Sequence, residues 1–251
     1  MKHRTPWQGM VTIARFNWPF YLLAAVIMVS AIIALFVFRE TWLMIAATLI
    51  LLGSSYFIFI SLGVSHWVYD RSDLYRWKWL AEALEGTERA RMIFCHSGFD
   101  DGSDLLKLET PETEWCVLDH YDPTSMTEAS IQRARRWAPP AAGTLAVPHD
   151  RWEVDDDWAD VVFGFLAIHE FRSVEERAAW FGEAKRCLRA HGKIVLVEHQ
   201  RDLANFLAFG PGFLHFHSAR AWQESWERAE LREVKSFPIT PWIRVVVLEK
   251  S

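Results

Sequence analysis

Two long stretches without charged side chains lie near the start of the chain. Residues 16–38 contain no charged residue, and after Arg39 and Glu40 the same holds for residues 41–65. As helices with a rise of about 1.5 Å per residue, the stretches are roughly 34–38 Å long, enough to cross a hydrocarbon core of ~30 Å. Because lipid offers no hydrogen-bond partner to backbone groups, each span must be helical. The pattern predicts a transmembrane helical hairpin over residues 16–65 with a very tight turn.

Two other interpretations of these stretches agree less well with the sequence. A pair of buried core helices would need a far larger soluble shell than this chain has. A cleaved signal peptide fits poorly, because the first stretch is too long and no small-residue cleavage site precedes the second.

The charges that flank the hairpin predict its orientation. Basic residues precede the first span and follow the second; they are Lys2, Arg4 and Arg15, then Arg71, Arg76 and Lys78. Positive charge favours the cytoplasmic side. We therefore expect an integral membrane protein with residues 1–15 as its cytoplasmic N-terminus and with its soluble part also cytoplasmic. A bacterial inner membrane is the simplest location, and the lipid bilayer is the first predicted partner.

The pattern changes after the hairpin to that of a water-soluble domain. Residues 66–86 are rich in aromatic side chains and predict an interfacial connector helix. Residues 87–251 alternate short apolar runs with helical patterns. Strands are predicted over 92–95, 116–118, 144–147, 159–168 and 193–197, with a closing pair at 231–237 and 242–248. Helices are predicted over 125–137 and 219–229. A further helix is predicted to begin at a capping box formed by Ser173 and Glu176. This alternation predicts an α/β domain with a doubly wound, Rossmann-like, mostly parallel sheet.

Charge and cysteine content narrow the class of protein only a little. The formal net charge of −5 gives no reason to expect nucleic acid as a partner. Cys95, Cys116 and Cys187 are far apart in apolar surroundings, which predicts buried, reduced thiols on a cytosolic face.

Polar and ionisable residues follow each of the first five predicted strands. In open α/β sheets, ligands bind beyond the carboxyl ends of the strands. The residues at these points, in strand order, are His96, Ser97 and Gly98; Asp119; His149 and Asp150; His169 and Glu170; and Glu198 and His199. This pattern is the strongest evidence in the sequence for an active site.

The segment from the fourth to the fifth predicted strand carries a family resemblance. Asp160 opens the fourth strand, and Arg186, Leu188 and Gly192 match a phrase of the form R-x-L-x-x-x-G that precedes the fifth. The order of elements over roughly 88–251 resembles the class I S-adenosylmethionine-dependent methyltransferases, and this segment resembles those of the ubiquinone/menaquinone type.

The resemblance implies S-adenosyl-L-methionine as the cofactor. Asp119 matches the acidic residue with which the family holds the ribose hydroxyls. The first loop departs from the family pattern: of its glycines only Gly98 and Gly102 remain, the acidic residue within the strand is missing, and Asp100 or Asp101 would have to meet the amino group of the methionine moiety. The predicted cofactor-binding residues are His96, Ser97, Gly98, Asp100, Asp119, His149 and Asp150.

Residues 198–218 match the region in which related enzymes form the acceptor pocket and its lid. The segment combines phenylalanines with polar side chains around a Gly-Pro-Gly turn. An aromatic-lined pocket beside a membrane suits a lipophilic small-molecule acceptor such as a quinone or a phospholipid. An ordinary amphipathic surface helix with a glycine turn remains an alternative. The predicted pocket residues are Tyr69, Arg201, Asn205, Phe209, Phe213 and His215.

Methyl transfer requires alignment of the acceptor, exclusion of water and, for a hydroxyl acceptor, removal of a proton. His199 and His169 are the candidate bases, with Glu198 or Glu170 to orient them. No metal site is predicted, because the spacing of the histidines matches no specific zinc motif.

The sequence therefore predicts a membrane-anchored methyltransferase that acts on a lipophilic acceptor. Two alternatives stay open because the first glycine loop is degenerate. One is a related cofactor-binding enzyme with different chemistry on a quinone-like lipid, as in the rhodoquinone-biosynthesis proteins. The other is a non-catalytic membrane scaffold that has lost the cofactor.

Overall fold

The computed structural model describes residues 4–251, and this part of the chain begins with three helices. Lys2, one of the charges used to predict the orientation, lies outside it. Helix α1 (Gln8–Phe16) is followed by the two apolar helices α2 (Trp18–Val37) and α3 (Thr41–His66). Helix α2 lies within the first predicted span, α3 extends one residue beyond the second, and three residues connect them.

Helices α2 and α3 pack against each other and leave most of their surface uncovered. The buried residues of α2 are Ala24 and Ala31, whose small side chains let a neighbouring helix approach closely. The Tyr21 Oη and Ser61 Oγ atoms are 2.9 Å apart across the pair. Within their most apolar stretches, only 11 % of the residues of α2 and 6 % of those of the helix that begins at Thr41 are buried. Both helices are long and apolar enough to cross a membrane.

A seven-stranded sheet forms the rest of the fold, with the strand order β3-β2-β1-β4-β5-β7-β6. The strands are β1 (Arg91–His96), β2 (Glu114–Asp119), β3 (Leu145–Ala146), β4 (Ala159–Phe165), β5 (Leu188–His199), β6 (Leu231–Thr240) and β7 (Ile243–Lys250). β7 runs antiparallel to both of its neighbours, and the pairs among β1 to β5 are parallel. The predicted doubly wound, mostly parallel α/β sheet is thus confirmed.

Helices cover both faces of this sheet. They are α4 (Leu80–Ala83), α5 (Ser103–Glu109), α6 (Ala129–Trp137), α7 (Val174–Cys187) and α9 (Ala219–Arg228), whereas α8 (Leu203–Phe209) follows the end of β5. On one face Trp180 and Trp222 pack against the sheet, and on the other Leu74 and Leu80 do so. The capping box predicted at Ser173 and Glu176 is present at the start of α7.

The connector over residues 66–86 differs from the single helix that was predicted. It consists of a π-helical turn (Trp67–Arg71), a 3₁₀ turn (Leu74–Arg76) and the short helix α4. Trp77 adopts a left-handed backbone conformation with φ 56°, which ends the helical path. Trp77 and Trp79 are buried in the core of the α/β domain, so these aromatic side chains serve packing there.

Helix α1 was not predicted, and it lies over the edge of the sheet where β1 and β2 end. The ring of its last residue, Phe16, is 5.0 Å from that of Phe99, in the loop after β1, and 5.9 Å from that of Trp137 in α6. Arg133 donates a hydrogen bond of 2.6 Å to the Phe16 carbonyl. The helix that precedes the two apolar helices is therefore docked on the α/β domain.

Candidate active site

Asp119 ends β2 with a buried carboxylate that protein groups already contact. Its Oδ1 accepts hydrogen bonds from the amides of Gly98, at 2.9 Å, and Tyr121, at 3.1 Å. Its Oδ2 forms an ion pair with Arg135 of α6. The predicted ribose-binding residue thus lies at the carboxyl edge of the sheet, beside the loop that follows β1. Arg135 was missed, since a basic residue within an amphipathic helix gives no signal that it turns towards this edge.

The residues after β1 present polar atoms that lack partners. Both ring nitrogens of His96 and the Ser97 hydroxyl are buried without a hydrogen bond, and His96 Nδ1 is 3.4 Å from Asp119 Oδ1. Buried polar groups of this kind are uncommon unless a ligand or water serves them. Gly98 has φ 84°, and a Cβ atom there would lie 2.8 Å from the Tyr121 ring. These residues fit a polar ligand at the place where the resemblance puts the adenosyl moiety.

Asp100 and Asp101 have other partners in this structure. The Asp100 carboxylate accepts hydrogen bonds from the amides of Gly102 and Ser103, at 3.0 and 2.9 Å, at the start of α5. Asp101 forms an ion pair with Arg4, whose guanidinium also lies 3.7 Å from the centre of the Tyr75 ring. The N-terminal segment therefore occupies the acidic loop that was considered for the methionine amino group.

His149 and Asp150 follow β3, at the edge of the sheet. The ring of His149 lies 4.8 Å from that of Phe171, and its carbonyl accepts a hydrogen bond from Trp152 Nε1. Asp150 is exposed. Their role in cofactor binding remains a prediction.

Glu198 and His169 form a tight buried pair between the ends of β5 and β4. Glu198 Oε2 is 2.7 Å from His169 Nδ1, while Oε1 accepts hydrogen bonds from the amides of Ala167 and Ile168, at 2.9 and 2.8 Å. Burial disfavours the charged imidazole, but the charge and the hydrogen bond of Glu198, together with the charge of Glu170, outweigh it and raise the pKa of His169 to about 9. Glu198 thus orients His169 and holds the loop after β4.

His199 ends β5 in a different environment. Its Nδ1 is 2.9 Å from Asn205 Oδ1, and its Nε2 is 2.8 Å from Tyr69 Oη. The Asn205 amide nitrogen donates to Asp202 and to the Trp242 carbonyl, which fixes the amide oxygen towards His199. His199 therefore carries its proton on Nδ1, and Nε2 accepts from Tyr69. Burial lowers the pKa of His199 to about 4, so the ring is neutral at pH 7.

The remaining predicted pocket residues surround the segment after β5. Phe209 packs edge-on against the His199 ring at 5.5 Å, whereas Phe213 contacts Phe206. Arg201 donates to the carbonyls of Phe216 and Leu214, so it holds the turn after α8. Phe216 was not among the predicted site residues, although it stacks on His199 at 4.5 Å.

Two histidines converge on one carboxylate beside these residues. Glu170 Oε1 lies 3.4 Å from His215 Nε2 and 3.6 Å from His169 Nε2. Glu170 Oε2 is buried without a hydrogen-bond partner. The structure thus brings His169, Glu170, Glu198, His199 and His215 to one end of the sheet.

Helix α8 lies against the long apolar helix α3. Tyr56 Oη of α3 donates a hydrogen bond of 2.8 Å to the Leu207 carbonyl of α8. Large apolar side chains of this region are exposed, namely Leu203, Phe206, Leu207 and Leu214. The predicted acceptor region therefore shares an uncovered apolar surface with α3.

Comparison with known proteins gives the fold but no family. No family model and no curated protein sequence matches the chain. Among solved structures, the mitomycin 7-O-methyltransferase MmcR is similar at a TM-score of 0.55 and 16% identity, with 99% of this chain and 74% of that chain covered. The PH0226 protein from Pyrococcus horikoshii OT3 is similar at 0.51 and 16%, with 72% and 93% covered. The [4+2]-cyclase SpnF is similar at 0.50 and 12%, with 72% and 82% covered. The chain has the Rossmann-like fold of methyltransferases.

Proposed function

We propose that this protein is a membrane-anchored, S-adenosylmethionine-dependent methyltransferase that acts on a lipophilic acceptor. The observation that carries the proposal is the contact between Tyr69 and His199 at 2.8 Å. It joins the continuation of the apolar helix α3 to the end of β5, where the acceptor of a Rossmann-like enzyme would bind.

The anchor is supported by the exposure of the apolar helices. Side chains such as Leu23, Ile33, Phe36 and Leu49 are more than half exposed, which water would penalise and lipid would not. Trp18 and Trp42, near the ends of the two helices, are also exposed, as expected of aromatic residues at a membrane interface.

The cofactor is supported by the fold and by the polar atoms at the ends of β1 and β2. Asp119 would hold the ribose hydroxyls, and His96 and Ser97 would supply hydrogen bonds that they lack within the protein. When bound, S-adenosylmethionine supplies an electrophilic methyl group. Arg135 must share or release the Asp119 carboxylate for the ribose to bind there.

The residues at the end of β5 support removal of a proton from a hydroxyl acceptor. The Tyr69 hydroxyl donates to His199 Nε2 and can accept a hydrogen bond from the acceptor. As the acceptor oxygen is methylated, its proton passes to Tyr69 Oη while the tyrosine proton passes to Nε2. Asn205 Oδ1 accepts from Nδ1 throughout and stabilises the imidazolium that forms.

A lipophilic acceptor is supported by the position of α8 against α3. The Tyr56–Leu207 hydrogen bond holds the acceptor region beside the apolar helices, and the exposed Leu203 and Phe206 continue their apolar surface. An acceptor dissolved in the bilayer could reach the ring of Phe209 and the His199–Tyr69 pair without crossing water.

Binding of the cofactor is the first test, on full-length protein in detergent. We expect isothermal titration calorimetry to show one S-adenosylmethionine per chain for the wild type and for Asp155→Ala, an exposed aspartate outside the site. We expect Asp119→Ala to bind at least tenfold more weakly. Absence of binding by the wild type, or equal binding by Asp119→Ala, would contradict the proposal. Mass analysis of lipid extracts incubated with protein and cofactor should then show a gain of one methyl group.

A related enzyme with other chemistry is a second candidate, and the first loop favours it. Asp101 is paired with Arg4 and Asp100 holds the start of α5, so neither carboxylate is free for the methionine amino group. Cofactor binding together with a modified lipid that has gained no methyl group would support this second function.

A further inference from the structure

We infer that His169, Glu170 and His215 form a binding site for one divalent transition-metal ion. Their candidate ligand atoms, one from each residue, all lie within 4.8 Å of one another. The inference does not depend on methyl transfer, since it rests on the arrangement of these three side chains alone.

The geometry is that of two imidazoles and one carboxylate turned towards a common point. The two Nε2 atoms lie 3.4 and 3.6 Å from the same Glu170 oxygen. Metal–nitrogen and metal–oxygen bonds of about 2.0–2.2 Å require ligand atoms roughly 3–4 Å apart. An ion between the three residues would therefore need only a small contraction of the site.

An unpartnered atom points to a ligand here. Glu170 Oε2 is buried without a hydrogen bond, and only 9% of the Glu170 side chain is exposed. A buried carboxylate oxygen normally has a partner. A bound cation would satisfy this oxygen and would take the place of the proton on His169 Nε2.

The surroundings match those of known metal sites. Glu198 Oε2 accepts from His169 Nδ1 at 2.7 Å, which directs Nε2 towards Glu170 and makes the imidazole a better ligand. Glu128 lies 3.5 Å from His215 Nδ1 on the outer side of the site. Cationic side chains also border the site: Arg172 lies 3.5 Å from the same Nδ1, and Arg201 donates to the carbonyls of Leu214 and Phe216 on either side of His215.

The ligand set indicates which ion would bind. Two imidazoles and a carboxylate suit manganese, iron, cobalt or zinc rather than calcium or magnesium. Three protein ligands leave coordination positions open, as in catalytic rather than structural sites. His215 has 27% of its side chain exposed, so an ion can enter from that side. His169 lies 6.0 Å, ring to ring, from Phe216, which stacks on His199, so the ion would border the proposed acceptor pocket.

Cobalt(II) is the probe of choice, because its visible absorption reports coordination as well as binding. Full-length protein in detergent is stripped with a chelator and titrated with cobalt(II) chloride, with calorimetry in parallel. We expect one cobalt ion per chain and new absorption bands in the visible range. His215→Ala and the more conservative Glu170→Gln should each weaken binding at least tenfold. His191→Ala, which changes an exposed histidine outside the site, should bind as the wild type does.

Two outcomes would overturn the inference. One is wild-type protein that binds no cobalt, in which case the cluster is a network of ion pairs between protonated histidines and Glu170. The other is binding that His215→Ala and Glu170→Gln both leave unchanged, which would place the ion elsewhere. Circular dichroism of each variant distinguishes loss of ligands from loss of fold.

Discussion

Tyr69 Oη lies 2.8 Å from His199 Nε2, although the two residues are 130 positions apart in the chain. Tyr69 belongs to the turn that continues α3, and His199 is the last residue of β5. The contact couples the segment that directly follows the apolar helices to the candidate site.

Tyr69→Phe tests this coupling, because it removes the hydroxyl and little else. His199 Nε2 is then buried without a donor, and we expect the unfolding free energy to fall by about 1–3 kcal/mol. If the hydroxyl relays a proton, methyl incorporation into lipid extracts should fall about a hundredfold at unchanged affinity for S-adenosylmethionine. Tyr21→Phe is the matched control, since it removes a similar hydroxyl from the Tyr21–Ser61 pair within the hairpin. Equal turnover by Tyr69→Phe and wild type would show that the relay is absent.

Gly98 provides a second test, directed at the cofactor region. A Cβ atom there would lie 2.8 Å from the Tyr121 ring, and φ is 84°. Gly98→Ala should therefore lower stability by about 1–3 kcal/mol and weaken S-adenosylmethionine binding at least tenfold. Gly182→Ala in α7 is the control, because a Cβ atom added there meets nothing within 4 Å. It should raise the unfolding free energy by about 0.5–1 kcal/mol and leave the affinity for S-adenosylmethionine unchanged. Unchanged cofactor affinity in Gly98→Ala would argue against binding over this loop.

Buried neutral histidines predict that the fold loses stability in acid. Burial lowers the pKa values of His199 and His120 to about 4, below the ordinary value of 6.5. Between these values the unfolded chain binds more protons than the folded one, so stability falls as the pH drops from 6.5 towards 4. Each residue contributes up to roughly 3 kcal/mol to this loss.

A variant of His120 tests how much of this loss of stability in acid comes from that residue. His120 Nε2 accepts from Trp180 Nε1 at 3.1 Å, a role that the amide oxygen of His120→Gln can fill without titrating. Thermal unfolding followed by circular dichroism at pH 7 and pH 5 should show a smaller loss for the variant than for the wild type. Identical losses would mean that His120 is not neutral in the folded protein.

The mostly parallel α/β class of the sheet and the two long apolar helices followed from local patterns, and the contacts of the site did not. Asp160 was selected by the family resemblance. Its carboxylate accepts a hydrogen bond from the Arg91 amide and pairs with Arg189, which ties the start of β4 to β1. Its role there is structural. Asp119 was likewise found from its place at a strand end, but its pairing with Arg135 depends on how α6 packs.

Helix α1 and the ion pair of Asp101 are features that local patterns did not predict. The sequence of α1 is short and directly adjoins an apolar span, so its periodicity does not reveal that it docks on the loop after β1. Arg4 reaches Asp101 across 97 positions of the chain. The convergence of His169, Glu170 and His215 was equally hidden, because His215 comes from a glycine-rich turn whose path is set by Arg201 and Arg172.

The orientation of the hairpin can be tested with single cysteines. Glu40 lies in the exposed turn between α2 and α3, and Arg89 is exposed just before β1. In intact bacterial cells an impermeant maleimide should label Glu40→Cys, whereas Arg89→Cys should react only after permeabilisation, because the soluble domain is expected on the cytoplasmic side. Cys95 and Cys187 are buried and Cys116 is partly covered, so the wild type gives the background. Labelling of Arg89→Cys in intact cells would reverse the orientation, and labelling of neither variant before permeabilisation would contradict a span that crosses the membrane.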